Sequence, residues 1–373
     1  MALNRFLVAV LMSVFAVPAF GREAPLRVAF LNPATPANAF WEKLTDCMRS
    51  AAHDFGLQLE VSYLESEEVT SRFAYVDAAI HVAEQSRKPD FVIFVNLKDS
   101  GHRMLAALEQ ARIPSLIINS DIHPEDAPLV GLPRGKFQYW LGHLSPDDIQ
   151  AGRVLAESLV RLGSEREAEP AMFAINGATN GTAATKREQG LQQALEGTPA
   201  RLHYHVNSRT WRSEDGQQIA SNLLQRYPDT SLIWAASDGL ALGAREAAVR
   251  SDRKNMLIGG IDWTDQGLEA VARGDLAVSV GGHVLEGIVA LTLIYDYAHG
   301  MDFAQTIGTQ INTAMMAADS GNIKILQKRL LASAIRDDDF KRLSFKASKG
   351  LNTYDFAIPT LLKISPASSR TFQ

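Results

Sequence analysis

Residues 231–263 have the sequence SLIWAASDGLALGAREAAVRSDRKNMLIGGIDW, and this segment indicates the fold class. Ser231–Ala235 is a short apolar run, Leu240–Arg250 has the apolar spacing of a helix, and Met256–Ile261 is a second apolar run. Runs that do not alternate between polar and apolar residues are typical of strands covered on both faces. The segment therefore predicts a strand, a helix and a parallel strand.

The same alternation continues in both directions along the chain. Further strands are predicted at Leu26–Leu31, Phe91–Val95, Ser115–Ile118, Ala171–Ile175 and Leu276–Val280. Further helices are predicted at Phe40–Phe55, Ser71–Gln85, Leu105–Ala111, Asp147–Leu162, Ala183–Leu195 and Gly216–Tyr227. Strands that alternate with helices imply a doubly wound α/β architecture. Because the pattern occurs twice, with Asp121–Leu144 as the link, we expect two parallel-sheet lobes.

The composition is that of an ordinary globular protein. Of the 373 residues, 46% are hydrophobic and 21% are charged. This length suggests about two domains, at roughly 100–200 residues each. Lysine and arginine total 37 against 42 acidic residues, which gives a net charge of −5. A mildly acidic chain is poorly suited to neutralising phosphates, so no nucleic-acid partner is expected.

The first 21 residues are predicted to be a cleaved signal peptide. Arg5 precedes an apolar run at Phe6–Val17, and Ala19-Phe20-Gly21 places small residues at the positions that signal peptidase inspects. The run is shorter than the roughly 20 apolar residues of a membrane-spanning helix. An uncleaved anchor or a buried first helix is the alternative. We therefore expect a periplasmic protein.

Cys47 is the only cysteine, and it lies inside the first predicted helix. A single cysteine cannot form an internal disulfide, and its distance from the predicted cleavage site argues against a lipoprotein anchor. We interpret Cys47 as a small buried hydrophobic residue rather than a nucleophile.

The strand and helix pattern weakens after Asp319. A basic helical stretch at Lys324–Leu331 and an acidic cluster at Asp337–Asp339 precede a polar end. Residues 319–373 are therefore interpreted as a C-terminal extension packed on the body of the protein.

Sequence motifs for catalysis and cofactor binding are absent. Gly131–Lys136 lacks the spacing and the final hydroxyl residue of a Walker loop, and residues 176–181 lack the dinucleotide spacing. No G-x-S-x-G or H-E-x-x-H segment occurs. His203 and His205 share one face of a strand, which can suit a metal ion, although an exposed polar face is the simpler interpretation. We expect no cofactor, no metal site and no catalytic residues, and an enzyme is not favoured.

Polar and aromatic side chains collect where predicted strands end and helices begin. Ligands bind at that edge in an open α/β sheet. Amides, hydroxyls and carboxylates can bond to ligand hydroxyls, and aromatic faces can cover the C–H surface of a sugar ring. The candidate ligand-binding residues are Asn38, Phe40, Trp41, Asn119, Ser120, Trp211, Ser237, Asp238, Asp262 and Trp263.

Each candidate also has a purely structural interpretation. The aromatic pair at the start of the first helix can pack against the core. Asn119 and Asp262 can brace loops, while Ser237 and Asp238 can cap the helix that follows them. Capping does not exclude contact with a ligand.

Five segments occur along the chain in a characteristic order. They are Asn38-Ala-Phe-Trp41, Ile113-Pro-Ser-Leu-Ile-Ile-Asn119, Gly181-Thr-Ala-Ala-Thr-Lys-Arg-Glu-Gln-Gly-Leu191, Ala236-Ser-Asp-Gly-Leu-Ala-Leu-Gly-Ala244 and Gly259-Gly-Ile-Asp-Trp263. Together, over about residues 26–315, they resemble the type I periplasmic binding proteins of the ribose/galactose class. Each segment is weak alone, and the order gives the resemblance its weight.

The resemblance implies two lobes that are joined by three crossings and close on a ligand like a hinge. The implied N-terminal lobe is residues 22–144 plus 283–311, and the implied C-terminal lobe is residues 145–282 plus 312–318. The implied crossings lie near Leu144, Gly282 and Ile311.

The sequence departs from the family pattern within the expected site. Asn119-Ser120 replaces the Asp-Arg pair that is typical of pentose and hexose binders. Thr185 stands where those proteins often have a ligand-binding arginine, and Arg187 is interpreted as a structural or rim residue. The ligand is therefore expected to differ from plain ribose.

Two further departures lie near the second crossing and after a strand. Gly282 stands where a polar side chain often meets the sugar, with His283 beside it. Trp263, directly after Asp262, is similar to the autoinducer-receptor branch, which works beside a sensor kinase.

These observations predict a periplasmic receptor that binds a small neutral sugar-like or polyol solute in the cleft between the lobes and presents it to an ABC-type importer. A sensor subunit that signals to a membrane kinase or cyclase and a secreted α/β enzyme are the alternatives. A sugar-responsive repressor would need an N-terminal DNA-binding segment. The predicted signal peptide occupies that position here, so a repressor is not favoured. The expected partners are the solute and a membrane permease or sensor, and the receptor is expected to be a monomer.

Overall fold

The computed structural model describes residues 24–66, 71–348 and 350–365. The predicted signal peptide, residues 1–21, lies outside the described residues. The chain forms two six-stranded sheets, and apolar clusters lie on both faces of each. This arrangement confirms the predicted two-lobe α/β fold. Within the described ranges, no helix is long and apolar enough to cross a membrane.

The first sheet and its helices form the N-terminal lobe. Its strands are β1 (Arg27–Leu31), β2 (Gln58–Ser62), β3 (Phe91–Val95), β4 (Ser115–Ile118), β5 (Trp140–Pro146) and β11 (Gln310–Thr313). Its helices are α1 (Ala39–Phe55), α2 (Ser71–Glu84), α3 (Gly101–Ala111), α4 (Ala127–Val130) and α10 (Glu286–Ala298). The strand order is β2-β1-β3-β4-β5-β11, and all neighbours are parallel.

The second sheet and its helices form the C-terminal lobe. Its strands are β6 (Ala171–Asn176), β7 (Arg201–Asn207), β8 (Leu232–Ala235), β9 (Leu257–Ile261), β10 (Val278–Gly281) and β12 (Met316–Ala318). Its helices are α5 (Asp148–Ser164), α6 (Thr182–Leu195), α7 (Ser213–Arg226), α8 (Asp238–Arg250) and α9 (Asp265–Arg273). The order is β7-β6-β8-β9-β10-β12, with β12 antiparallel to β10.

In the described part of the chain after β12, three short helices occur. They are α11 (Ile323–Leu330), α12 (Ala332–Arg336) and α13 (Ile358–Leu362). Single 3-10 turns occur at Leu97–Asp99, His283–Leu285, Phe303–Gln305 and Phe340–Leu343.

The chain passes between the two sheets three times. The crossings follow β5, β10 and β11. At the second crossing, Gly282 has a backbone φ of 138°, a conformation that residues with a side chain rarely adopt. A Cβ there would lie 2.6 Å from Ile358 Cδ1 and 2.7 Å from the Ala314 carbonyl oxygen. The crossing therefore requires glycine.

The apolar runs predicted as strands are strands in the structure, with ends shifted by at most two residues. Five strands were not predicted: β2, β5, β7, β11 and β12. β2 and β7 are edge strands, and their alternating, partly exposed residues weaken the apolar signal. β5 lies inside the predicted link. It is fully buried, but Gly142, His143 and Pro146 interrupt its apolar run, so the sequence pattern did not indicate a strand.

Helices α5 and α6 approach each other backbone to backbone. A Cβ on Gly152 would lie 1.9 Å from the Arg187 carbonyl oxygen, and a Cβ on Gly190 would lie 2.0 Å from the Ile149 carbonyl oxygen. Glycine at both positions thus permits the contact. The close packing places α6 beside the beginning of α5. Arg187 on α6 and Asp148 on α5 therefore lie close enough to form an ion pair.

Candidate functional site

A cavity of about 1480 Å³ lies between the two lobes. It is lined by residues from both sheets at the carboxyl ends of their strands. In each lobe the strand order reverses beside the first strand, which creates the crevice where ligands bind in such sheets. Seven predicted residues line the cavity: Asn38, Phe40, Trp41, Asn119, Ser120, Trp211 and Asp262.

The N-terminal lobe contributes an aromatic wall at the beginning of α1. Asn38 caps this helix, because its side chain accepts a hydrogen bond from the Trp41 amide at 3.2 Å. Phe40 and Trp41 meet edge to face, with ring centroids 5.0 Å apart. The cap and the aromatic contact fix both rings beside the cavity.

Asn119 and Ser120 follow β4 at the same edge of the sheet. Asn119 has a φ of 66°, a left-handed conformation that asparagine tolerates better than most residues. The Ser120 hydroxyl donates to the Asn96 carbonyl oxygen at 3.3 Å. The backbone turn therefore brings an amide and a hydroxyl to the cavity wall.

The C-terminal lobe contributes Trp211 from the loop before α7. Its ring lies against Gly177, where a Cβ would come within 2.0 Å of the ring. The Arg187 guanidinium lies 5.7 Å from the ring centroid, within the range of a cation–π contact. Trp211 thus has a fixed orientation opposite the N-terminal aromatic wall.

Arg187 is the central charged group of the cleft floor. It is 4% exposed, and its Nε donates to Asp148 Oδ1 at 2.8 Å while Nη1 donates to the Ala236 carbonyl oxygen at 2.7 Å. Nη1 also lies 3.4 Å from Asp262 Oδ1. A buried guanidinium is costly unless paired, and two carboxylates pair it here. Arg187 therefore has a structural role, which is one of the two interpretations from sequence, and it lines the cavity from a buried position rather than from the rim.

Asp262 follows β9 with a strained backbone, since its φ is 139°. The side chain keeps 15% exposure. Burial raises the pKa of Asp262, and the neighbouring Arg187 charge opposes that rise. A hydrogen-bonding carboxyl group therefore lies at the cavity wall with its backbone held in an unfavourable conformation, a combination typical of functional sites.

His283 joins this group from the second crossing. Its Nε2 lies 3.4 Å from Asp262 Oδ1 and 3.5 Å from Arg187 Nη2, and its ring lies 4.6 Å from that of Phe40. Burial, followed by the Arg187 charge, lowers the pKa of His283 to about 3. The imidazole is therefore neutral at physiological pH, and its buried Nδ1 has no partner among the described residues.

Three predicted site residues lie behind the cavity wall. Ser237 caps α8 by accepting from the Leu240 amide at 3.2 Å. Asp238 is fully buried and accepts hydrogen bonds from Thr264 and Ser279. Because side chains in these positions do not reach the cavity, Ser237 and Asp238 are removed from the candidate site.

Trp263 is the third of these residues. It is fully buried, its Nε1 donates to the Ser279 carbonyl oxygen at 3.0 Å, and its ring occupies the space where Gly281 lacks a side chain. Its backbone is in the left-handed region, with a φ of 60°. Trp263 is therefore a core residue in this structure and is also removed from the candidate site.

Sequence reasoning missed Arg187 and His283 as cavity residues. The α6 register that faces α5 would have indicated Arg187, because Gly190 lies three residues further along the same helix face. His283 stands directly after Gly282, and only the crossing geometry shows that it reaches Asp262.

The lobes also meet across the mouth of the cleft. Lys43 on α1 forms an ion pair with Asp265 on α9, and Lys186 on α6 forms one with Asp121 after β4. The Asp121 amide also donates to Thr182 Oγ1 at 3.2 Å. These contacts join the two lobes directly.

The histidine pair on β7 does not form a metal site in the structure. His203 pairs with Asp229 and His205 with Glu188. No cluster of three or more metal-ligating side chains occurs among the described residues.

Glu286 lies below the cleft at the beginning of α10. It is 1% exposed and accepts a hydrogen bond from Oγ1 of Thr313, the last residue of β11, at 2.5 Å. Burial raises the pKa of Glu286 to about 8, although the contact with Thr313 opposes that rise. The carboxyl group is therefore mainly protonated at neutral pH and links α10 to the end of β11 as a neutral group.

Comparison with known proteins identifies the same architecture. The model of the periplasmic binding protein domain matches residues 28–302. The chain is 23% identical to the ribose import binding protein of Salmonella typhimurium over 250 residues, which is 66% of this chain and 76% of the relative. It is 22% identical to a xylitol-binding protein of Mycolicibacterium smegmatis over 262 residues, 70% of this chain and 68% of the relative.

One solved structure with a similar fold is also a sugar-binding protein. A periplasmic sugar-binding protein from Pseudomonas fluorescens superposes with a TM-score of 0.79 at 28% sequence identity. The match covers 90% of this chain and 99% of that protein.

We predict that Glu286→Gln makes stability less dependent on pH. Between pH 4.5, the ordinary pKa of glutamate, and about 8, the folded state holds a proton that the unfolded state has lost. The free energy of unfolding of the native protein therefore falls as the pH rises through this window, by at most about 1.4 kcal/mol per unit from this group. Urea unfolding at pH 5.5 and 7.5 should show a shallower slope for the variant.

Glu157→Gln is the matched control, because Glu157 is exposed and pairs with Arg153 on the same helix. It should keep the native slope. An unchanged slope in Glu286→Gln would show that Glu286 is ionised in the folded protein.

Proposed function

We propose that this chain, which belongs to the periplasmic binding protein family, binds a small neutral sugar or polyol in the cleft between its lobes and presents it to a membrane importer. The proposal is supported by the names of the relatives, which are binding proteins for ribose and xylitol. The ligand class, the binding residues and the membrane partner are the parts of this proposal that family membership does not give.

One observation carries the proposal: the cleft combines flat aromatic faces with a charge-compensated polar floor. Phe40, Trp41 and Trp211 supply apolar faces from both lobes, while Asn119 and Asp262 supply hydrogen-bonding groups. Sugars and polyols present C–H faces and hydroxyls together, so this pairing suits them.

The floor favours a neutral ligand over an anionic one. Arg187, the buried cation, is already shared by Asp148 and Asp262. His283 is neutral and cannot supply a second positive charge. An anionic ligand would have to compete with both carboxylates for Arg187, which is unfavourable in a buried site.

Closure follows from the distribution of these groups over both lobes. A ligand that contacts Asn119 from one lobe and Trp211 with Asp262 from the other gains all its contacts only when the lobes are together. Ligand binding then favours the closed arrangement by its differential affinity. The closed surface is the form that a membrane partner would recognise.

A non-enzymatic role is part of the proposal. The relatives are named as binding and import proteins, and the cleft chemistry described above provides for recognition rather than for bond cleavage. Turnover of a bound sugar would contradict this assignment.

A thermal-shift panel tests ligand class. We expect D-ribose, xylitol and related neutral polyols to include a stabilising compound, while sugar phosphates and amino acids give no shift. At 100 times its dissociation constant a ligand stabilises by about 2.7 kcal/mol, which is readily measured. A shift with sugar phosphates alone would contradict the neutral-ligand assignment.

Asp262→Asn should weaken binding of the compound found in that panel by about ten- to a hundred-fold. Hydrogen bonds to charged groups contribute about 1.5–3 kcal/mol, and a factor of ten corresponds to about 1.4 kcal/mol. Isothermal titration calorimetry gives the affinity. Asp229→Asn, on an exposed pair far from the cavity, should bind normally; equal affinities for both variants would remove Asp262 from the site.

Trp211→Phe should reduce the change in tryptophan fluorescence that ligand causes, and the change that remains should come from Trp41, which also lines the cavity. Trp211 lines the cavity, whereas Trp263 is fully buried behind it. Trp263→Phe is therefore the matched control and should keep the ligand-dependent change. A signal that depends on Trp263 instead would show that Trp263, not Trp211, senses the ligand.

The partner can be assigned by deleting the gene in its source bacterium. An importer role predicts loss of high-affinity uptake of the ligand. Normal uptake with loss of a ligand-induced transcriptional response would contradict the importer and favour the sensor alternative.

A further inference from the structure

Residues 319–348 and 350–365, here called the strap, pack on both lobes. The strap begins on the C-terminal lobe, directly after β12. There α11 packs against α9, and Gln327 Nε2 donates to the Leu268 carbonyl oxygen at 3.4 Å. Asn322 Nδ2 donates to the Ala317 carbonyl oxygen at 2.9 Å, which ties the first turn of the strap to β12.

The strap is then anchored on the N-terminal lobe by two carboxylates. Asp296 in α10 is fully buried and accepts four hydrogen bonds from the strap. The donors are Ser344 Oγ at 2.5 Å, the Phe345 amide at 2.8 Å, the Lys346 amide at 3.0 Å and the Tyr354 hydroxyl at 2.9 Å. The Asp54 carboxylate in α1 accepts from the Phe340 and Lys341 amides at 2.8 and 2.9 Å.

Apolar side chains of the strap complete one continuous core with both lobes. Leu326 and Leu330 from α11 and Phe340 from the following 3-10 turn are at most 2% exposed. The same apolar cluster contains α1 and α10 of the N-terminal lobe and α9 of the C-terminal lobe. Separating the lobes here would expose this surface to water, which costs free energy in proportion to its area.

The strap is cross-linked to itself and reaches the hinge. Arg342 Nη2 donates to the Leu361 carbonyl oxygen at 2.8 Å, and Lys363 pairs with Asp338. Ile358 lies against Gly282, the glycine of the second crossing. The strap is therefore linked internally and touches both lobes and the hinge between them.

We propose that the strap limits how far the two lobes open in the ligand-free protein. Opening must separate α1 from α9, which the Lys43–Asp265 pair joins directly near the cleft mouth. Both helices also hold the strap, so wide opening has to break one of its two attachments. The restraint on the lobes is independent of any ligand, whereas its benefit for binding rests on the proposed function.

For a binding protein, this restraint would raise affinity. A ligand that requires the closed form binds with an apparent affinity reduced by the fraction of molecules that are closed. A strap that keeps this fraction high lowers the ordering cost of binding.

The opening can be measured without ligand by electron–electron distance spectroscopy between two spin labels. Leu132→Cys on the N-terminal lobe and Lys254→Cys on the C-terminal lobe place labels at positions 61% and 66% exposed. Cys47 does not compete, because it is fully buried and burial raises the pKa of its thiol to about 12. The native background should give one narrow distance distribution.

Asp296→Asn in this labelled protein should add a longer-distance population, with the open-to-closed ratio raised about tenfold. The substitution removes the charge on which four strap donors converge. Asp302→Asn is the matched control, since Asp302 lies on the same lobe and pairs with Arg134 rather than with the strap. Native-like distributions in both variants, with both folded by circular dichroism, would overturn the proposal.

A second variant covers the case in which Asp296→Asn does not fold. A protease site inserted at the exposed Leu331, between α11 and α12, allows the strap to be cut after folding. Cutting should broaden the ligand-free distance distribution, and an unchanged distribution after complete cleavage would overturn the proposal. If no sugar or polyol binds in the panel while the distances respond as expected, the ligand assignment fails and the strap proposal stands.

Discussion

The pairing of one buried arginine with two carboxylates is the interaction on which the site depends. Arg187 is held by Asp148 at the beginning of α5, just after the first crossing, and lies 3.4 Å from Asp262 at the end of β9. Removing either carboxylate would leave a buried charge without full compensation, which is strongly destabilising. The same ion pairs therefore hold the cleft floor together and keep Arg187 from acting as a free anion-binding group.

The hinge and the site share these residues. His283, in the second crossing, lies within 3.5 Å of both Arg187 and Asp262 of the C-terminal lobe. Its ring also contacts that of Phe40 in the N-terminal lobe. Glu286, three residues further on, bonds to Thr313 at the end of β11, just before the third crossing. A change in the angle between the lobes must therefore alter contacts at the cleft floor, which links ligand contacts to closure. The strap adds a restraint on the same movement from outside the cleft.

Sequence reasoning predicted the sheets better than the site, for a physical reason. A buried central strand such as Phe91–Val95 is apolar at every position and needs no knowledge of its neighbours. Edge strands depend on which face is covered, and β7 with its exposed Tyr204 shows how weak that signal is. At strand ends, sequence position predicts the edge but not the direction of the side chain. Asp262 and Trp263 are adjacent, yet one reaches the cavity and the other packs on Gly281.

The most direct test of this account is a crystal structure of the protein with the neutral polyol that stabilises it. We expect one ligand enclosed between the lobes, with its hydroxyls bonded to Asn119 of the N-terminal lobe and to Asp262 of the C-terminal lobe. The Trp211 ring should cover a C–H face of that ligand. A ligand bound to one lobe only, or outside the cleft, would contradict the account.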